Sequence, residues 1–141
     1  MIAQTILVAG VVASWSIPPH VHITALHWAG LALALTGLAL FVWAHRTLAQ
    51  SFTMFPKPKP GGKLVTDGPF ALLRHPMYVA GVLFFGGCSL GLAWWGLAST
   101  GVLALFWVFK ARREERHLRE RFPAYAEYVE RVRRRFVPFV Y

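Results

Sequence analysis

The chain has 141 residues, enough for a single domain, and 56% of them are hydrophobic while only 15% are charged. So small a chain has too little interior to bury that much apolar surface. The composition therefore argues against a water-soluble globule and excludes a disordered chain. The formal net charge of +9 is unevenly placed, because all 15 Lys and Arg fall between Arg46 and Arg74 or between Lys110 and Arg135. These features predict an integral membrane protein.

Uncharged apolar segments predict an all-α bundle of four membrane helices, within one domain of residues 1–141. The first segment lacks the basic flank of a cleaved signal peptide, so we expect it to remain as a membrane helix. The uncharged stretch 78–109 would form a straight helix of about 48 Å, longer than a hydrocarbon core of about 30 Å. It is therefore expected to break near Gly91–Gly96. The predicted helices cover residues 2–17, 26–44, 78–91 and 95–110.

Two basic segments alternate with these helices, a loop of residues 46–77 and a tail of residues 111–135. Four helices place both segments on one side of the membrane. Because Lys and Arg are enriched in cytoplasmic segments, we expect a multi-pass protein with both termini in the cytoplasm. Apolar residues at helical spacing, interrupted at Pro123, predict two short amphipathic helices in the tail. The tail cations are expected to contact membrane lipids, and no nucleic-acid partner is expected.

Three other features bear on metals and partners. The lone Cys88 lies in an apolar run and is expected to be a buried side chain rather than a nucleophile. His20 and His22 have no third ligand nearby in the sequence, so no metal site is expected. Gly30 and Gly37, seven residues apart, are typical of helices that approach closely, and their face is a candidate homodimer contact.

Two groups of polar residues border the predicted helices on the basic side. Arg74 and His75 directly precede Pro76, near the start of helix three, and Glu114 and Glu115 follow helix four. Because helix three begins on the side where helix four ends, these groups are expected to meet and form a site. Without a site, Arg74 could be an anchor at the membrane boundary, and Glu114 and Glu115 could belong to a salt-bridged helix face. Spacing alone leaves the site and these structural roles open.

Four short motifs contain these residues: Gly68-Pro69-Phe70, Arg74-His75-Pro76-Met77-Tyr78 followed by Gly81, Glu114-Glu115-Arg116-His117-Leu118, and Arg135-Phe136-Val137-Pro138. Together they resemble the isoprenylcysteine carboxyl methyltransferase family, a group that includes phospholipid methyltransferases and related bacterial membrane methyltransferases. The resemblance extends over about residues 61–141. One departure is Pro123, which stands where the family usually has Gly after the tail Phe.

The resemblance implies a site for S-adenosylmethionine at the cytoplasmic ends of the last two membrane helices. It also implies a lipophilic methyl acceptor, with the carboxylate of an isoprenylcysteine-like substrate favoured. The residues implied to bind the cofactor are Leu64, Val65, Gly68, His75, Pro76, Tyr78, Gly81 and Glu115. Those implied in catalysis or in orienting the substrate are Glu114, Glu115, Arg74 and Arg135.

Two other functions stay open. A membrane reductase of the sterol or enone type has a similar C-terminal helical arrangement and uses NADPH, whose extra phosphate would suit the basic tail. A non-catalytic adaptor would use the same tail to hold lipid or a partner. The chain has no Gly-x-Gly-x-x-Gly sequence, so a Rossmann-type cofactor site is not indicated.

Overall fold

The computed structural model describes residues 2–14, 25–49, 64–92 and 95–136. Over these ranges the chain is helical and contains no strand, which confirms the all-α class. A short 3₁₀ helix, Gly68–Ala71, lies between the second and third α-helices. The α-helices are α1 (Ile2–Ser14), α2 (Ala25–Ala49), α3 (Pro76–Leu92), α4 (Gly96–Arg121) and α5 (Tyr125–Arg131).

The fourth helix is longer than predicted. We expected it to end at residue 110 and to be followed by two separate tail helices, but α4 continues without interruption to Arg121 and only α5 is separate among the described residues. Residues 110–121 contain no Gly or Pro and consist largely of strong helix formers, and Lys110 lies 3.8 Å from Glu114 one turn later. The predicted break at Pro123 is confirmed, because α4 ends two residues earlier and α5 begins two residues later.

Membrane-spanning capacity differs among the helices. Among the described residues, α2 alone is long and apolar enough to cross a membrane, at about 37 Å. The apolar helices α1 and α3 have 13 and 17 residues, and the apolar part of α4 ends before Lys110. A bundle of four full spans is therefore not confirmed. The predicted outer His20 and His22 lie outside the described residues.

Glycines allow α2 and α3 to pack backbone against backbone. A Cβ atom on Gly30 would lie 2.6 Å from the carbonyl oxygen of Gly87, and one on Gly37 would lie 2.5 Å from the amide nitrogen of Phe84. The face of Gly30 and Gly37, predicted as a homodimer contact, is therefore covered by α3 of the same chain. This corrects the predicted dimer face, and the homodimer itself stays a prediction.

The remaining contacts join α4 to the helices around it. Trp107 of α4 packs with Val11 of α1, and a Cβ atom on Gly81 of α3 would collide with the Trp107 ring. Deeper in the bundle, the hydroxyl groups of Ser89 on α3 and Thr100 on α4 lie 3.2 Å apart. These contacts hold the N-terminus of α3 beside the middle of α4.

The segment after α5 folds back along the loop that precedes α3. The amide of Arg74 donates to the carbonyl of Arg134 at 2.9 Å, and the amide of His75 donates to the carbonyl of Arg135 at 3.2 Å. The hydroxyl of Tyr128 in α5 donates to the carbonyl of the 3₁₀ helix at Phe70, at 2.8 Å. Two chain segments distant in sequence, residues 70–75 and 128–135, thus meet at one end of the bundle.

Candidate active site

Glu115 lies at the centre of a buried cluster of charges and is only 4% exposed. Arg135 donates from Nε to Oε1 at 2.9 Å and from Nη2 to Oε2 at 2.7 Å, a bidentate contact. Arg74 Nη1 lies 3.1 Å from Oε1, and Nε2 of His75 also lies 3.1 Å from that oxygen. The structure thus brings together the two groups of polar residues that the sequence placed on one side.

The charge state of Glu115 follows from two opposing effects. Burial alone raises the pKa of its carboxyl group, because the charged form loses its water. Hydrogen bonds from His75 and Arg135 and the charges of Arg74 and Arg135 outweigh burial, and they lower the pKa from 4.5 to about 2. Both carboxylate oxygens are engaged in this way, so Glu115 anchors its neighbours rather than offering a free base.

Stability is expected to depend on the ionisation of Glu115 in acid. Because its pKa is lowered in the folded state, its contribution to the free energy of unfolding is complete above about pH 4.5 and is lost as the pH falls toward about 2. Denaturant unfolding in detergent at several acidic pH values measures this dependence. The dependence should flatten in Glu115→Gln and persist in Glu120→Gln, whose side chain is exposed on the same helix. If the free energy of unfolding of Glu115→Gln depended on acidic pH as steeply as that of the unsubstituted protein, the attribution of this dependence to Glu115 would be wrong.

Glu114 has different surroundings, because adjacent residues on a helix point about 100° apart. Its Oε2 accepts a hydrogen bond of 2.7 Å from the hydroxyl of Tyr78 and lies 4.0 Å from Nδ1 of His75. Its Oε1 lies 3.8 Å from Nζ of Lys110, which also donates to Gln4 at 2.7 Å. Glu114 is therefore the less constrained and more accessible carboxylate of the pair.

Stacked rings fix the orientation of the imidazole and the phenol near Glu114. The His75 ring stacks on Tyr78 with 5.4 Å between centroids, and its other neighbour is Phe136 at 5.5 Å. Tyr78 stacks in turn on Trp107 at 5.6 Å. Such contacts restrict ring rotation, so the polar atoms of His75 and Tyr78 are held in place before any ligand binds.

A cavity of about 360 Å³ opens beside Glu114, within the range of small-molecule sites of about 300–1,000 Å³. Two tyrosines of α5 contribute to its wall. Burial raises the pKa of Tyr125 to about 12 and raises that of Tyr128 as well, so both phenols stay protonated at neutral pH. The predicted site residues that line the cavity are Leu64, Val65, Arg74, His75, Pro76, Tyr78 and Glu114.

The other predicted residues surround the cavity without lining it. Gly81 instead gives room to the ring of Trp107. Gly68 has a φ angle of +57°, a conformation that favours glycine, and it opens the 3₁₀ helix. Glu115 and Arg135 lie behind the wall and hold Arg74 and His75. The predicted residues outside the lining are Gly68, Gly81, Glu115 and Arg135.

The profile of the phospholipid methyltransferase family matches residues 25–125, which is more than two thirds of the chain. The chain belongs to this family. The family is part of the superfamily of membrane methyltransferases that resemble isoprenylcysteine carboxyl methyltransferase, so the resemblance inferred from the motifs is confirmed. The matched region includes the whole of α2, α3 and α4, and membership supports a membrane methyltransferase.

A curated relative of this phospholipid methyltransferase family member is the cobalt-zinc-cadmium resistance protein CzcN from Cupriavidus metallidurans. The two sequences are 44% identical over 73 residues, which cover 49% of this chain and 33% of that protein. The chain thus matches about a third of the relative's length. Within the part of the chain that the structure describes, no group of three or more His, Cys, Asp or Glu side chains is placed to hold a metal ion.

Sequence reasoning missed two polar residues of the cavity in this family member. Gln4 of α1 and Lys110 of α4 both line the wall and bond to each other. The sequence feature that could have indicated Gln4 is that it is a single amide side chain within the first turn of an apolar helix. Its meaning depends on how α1 packs against α4, which sequence spacing alone does not give.

Arg74 offers a donor that the described residues do not use. Its side chain is 9% exposed, and its Nε is fully buried without a hydrogen-bond partner among them. A buried donor without a partner costs about 1–3 kcal/mol, so such atoms call for an explanation such as a missing ligand. Arg74 also lines the cavity, where its guanidinium group gives the wall a positive charge suited to an anionic group.

Proposed function

We propose that this protein transfers a methyl group from S-adenosylmethionine to a lipophilic acceptor at the cytoplasmic face of a membrane. The observation that carries the proposal is the cavity between Glu114 and Arg74, with His75 and Tyr78 fixed between them. Family membership supports the reaction class. The choice of cofactor rests on the chemistry of the cavity wall.

The wall offers a partner for each charged group of S-adenosylmethionine. The Glu114 carboxylate suits an ammonium or sulfonium group, and the Arg74 guanidinium group suits a carboxylate. Leu64 and Val65 offer apolar surface to a base. The residues present therefore fit this cofactor.

S-adenosylmethionine supplies a methyl group already activated on a sulfonium. The protein then has mainly to position the reactants and exclude water. A carboxylate acceptor needs no base, whereas an amine or thiol acceptor would release a proton, which Glu114 or His75 is placed to accept. We keep the isoprenylcysteine-like carboxylate as the favoured acceptor within the proposal.

Membrane insertion is supported by the outer surface of α2. Large apolar side chains are exposed along its length, which is unfavourable in water and suits contact with lipid. Placing the basic segments in the cytoplasm gives a multi-pass protein with both termini on that side. The exposed apolar residues of α2 are Leu26, Trp28, Leu31, Leu33, Leu35, Leu38, Phe41, Val42 and Trp43.

Calorimetric titration of the detergent-purified protein with S-adenosylhomocysteine tests the proposal. We expect saturable binding that weakens at least about tenfold in His75→Ala, or about 1.4 kcal/mol, because the variant removes a wall residue and a partner of Glu115. His117→Ala is the matched control, since His117 is exposed on α4 and lies outside the cavity. Circular dichroism verifies that both variants are folded.

The same preparations are titrated with NADPH. Binding of NADPH without binding of S-adenosylhomocysteine would overturn the methyltransferase and favour a membrane reductase. Binding of neither ligand by folded protein would favour a non-catalytic adaptor. If S-adenosylhomocysteine binds, labelled S-adenosylmethionine is incubated with fractionated membrane lipids, with prenylcysteines that have a free carboxylate, and with amines, and the labelled product identifies the acceptor.

A further inference from the structure

A second cavity, of about 320 Å³, lies on the far side of the Glu115 cluster and shares no lining residue with the first. Its wall consists of four guanidinium groups and one carboxylate, which leaves three net positive charges. The lining residues are Arg112, Glu115, Arg116, Arg119 and Arg135. We call it the arginine cleft.

The charges of the arginine cleft are not balanced by the protein. Arg112, Arg116 and Arg119 recur one turn apart on α4, and none of them forms an ion pair with a carboxylate among the residues that the structure describes. Glu115, the acid within the cleft, is already engaged by Arg74, His75 and Arg135. Like charges at this helical spacing repel, so a bound anion would stabilise the arrangement.

Guanidinium groups select the kind of anion. Each presents planar, directed donors that match the oxygens of a phosphate in pairs. Arg135 uses Nε and Nη2 on Glu115, which leaves further donors of its five for a ligand. Several such groups around one cleft are suited to a phosphate group rather than to a cation or a neutral lipid.

The position of the cleft along α4 places it near the level of the lipid head groups. Counting from Phe109, the last residue of the apolar stretch, Arg112 lies about 5 Å and Arg119 about 15 Å further along the helix axis. The head-group layer extends about 5–8 Å beyond the hydrocarbon core. Arg112 therefore lies at the level of that layer and Arg119 lies beyond it, from where a long arginine side chain extends back toward the phosphates.

We propose that the arginine cleft binds a phosphate group, supplied in the membrane by the head group of an anionic phospholipid. The inference rests on the proposed membrane placement and not on the identity of the methyl donor. A lipid held there would fix Arg135, and with it the segment that pairs with the loop before α3, against the membrane surface.

Titration of the full chain in detergent with dihexanoyl phosphatidylglycerol tests the inference. We expect saturable binding that weakens at least about tenfold in the cleft variant Arg112→Gln/Arg116→Gln/Arg119→Gln. The matched control, Arg113→Gln/Arg131→Gln/Arg133→Gln, removes the same three charges from exposed residues outside the cleft and should stay within about twofold. Equal weakening in both triple variants would overturn the cleft in favour of general charge attraction.

Two further ligands test whether the cleft recognises the phosphate group and whether that phosphate belongs to a lipid. Dihexanoylglycerol, which has no phosphate, should not bind, and its binding with equal affinity would overturn the proposal. Inorganic phosphate should bind more weakly than the lipid and show the same loss in the cleft variant. Phosphate binding as tight as that of the lipid would overturn the assignment to a head group. S-adenosylhomocysteine titration of the same samples reports on the proposed function separately, because the three substituted cleft arginines do not line the first cavity.

Discussion

Glu115→Gln is expected to lower the free energy of unfolding by about 3–5 kcal/mol, the cost of removing one partner from a buried ion pair. The amide keeps the size of the side chain but leaves Arg74 and Arg135 without their shared countercharge. Binding of S-adenosylhomocysteine should fall below detection, because both arginines and His75 lose the group that orients them. Denaturant unfolding and calorimetry on the same detergent sample measure the two effects.

The control for this substitution is Glu120→Gln, which makes the same chemical change at an exposed position of α4 and should have little effect. A double variant, Glu115→Gln/Arg135→Gln, should recover part of the lost stability, because it removes one of the two unpaired charges. Normal stability and ligand binding in Glu115→Gln would show that the cluster does not organise the site.

Gly37→Ala is expected to separate α2 from α3 and to destabilise the protein by about 3 kcal/mol, at the upper end of the usual cost of overpacking. The added Cβ would lie 2.5 Å from the amide nitrogen of Phe84 and 2.6 Å from the carbonyl oxygen of Ala80. Both are backbone atoms, so rotation of a side chain relieves neither contact. Thermal unfolding followed by circular dichroism in a fixed detergent measures the loss.

Gly101→Ala makes the same change on α4 where a Cβ would meet nothing within 4 Å. It should be neutral or stabilising by up to about 1 kcal/mol, because Ala has the higher helix propensity. If Gly37→Ala and Gly101→Ala unfold at the same temperature, the description of α2 and α3 as packed backbone against backbone is wrong.

The convergence at Glu115 could be predicted because it depends on coarse features. Apolar runs indicated the four apolar helices in chain order. Because two helices, α3 and α4, separate Arg74 from Glu115, both residues lie at the same end of the bundle. The assignment of separate tasks to Glu114 and Glu115 could not be predicted. It depends on the rotation of α4 about its axis, which is set by packing of Trp107 against Gly81 and α1.

Helix boundaries show the same limit. Pro123 cannot continue a helix, so its effect is local and was predicted correctly. The boundary placed after Lys110 was wrong because it followed the change from apolar to charged residues, which marks a change of surroundings rather than of backbone conformation. The α2–α3 contact shows a related error, since the spacing of Gly30 and Gly37 indicates close approach without identifying the partner helix.

The backbone pairing between the loop before α3 and the segment after α5 has a consequence for the order of assembly. The amide of Arg74 pairs with the carbonyl of Arg134, and its guanidinium group donates to the carbonyl of Arg133, 59 positions away, so a ribosome releases Arg74 long before its partners. The glycine contacts of α2 and α3 involve neighbouring helices and can form while translation continues. The cavity wall is complete only after α4 and α5 have emerged, so a nascent chain holds a packed helical pair well before it has a formed cavity.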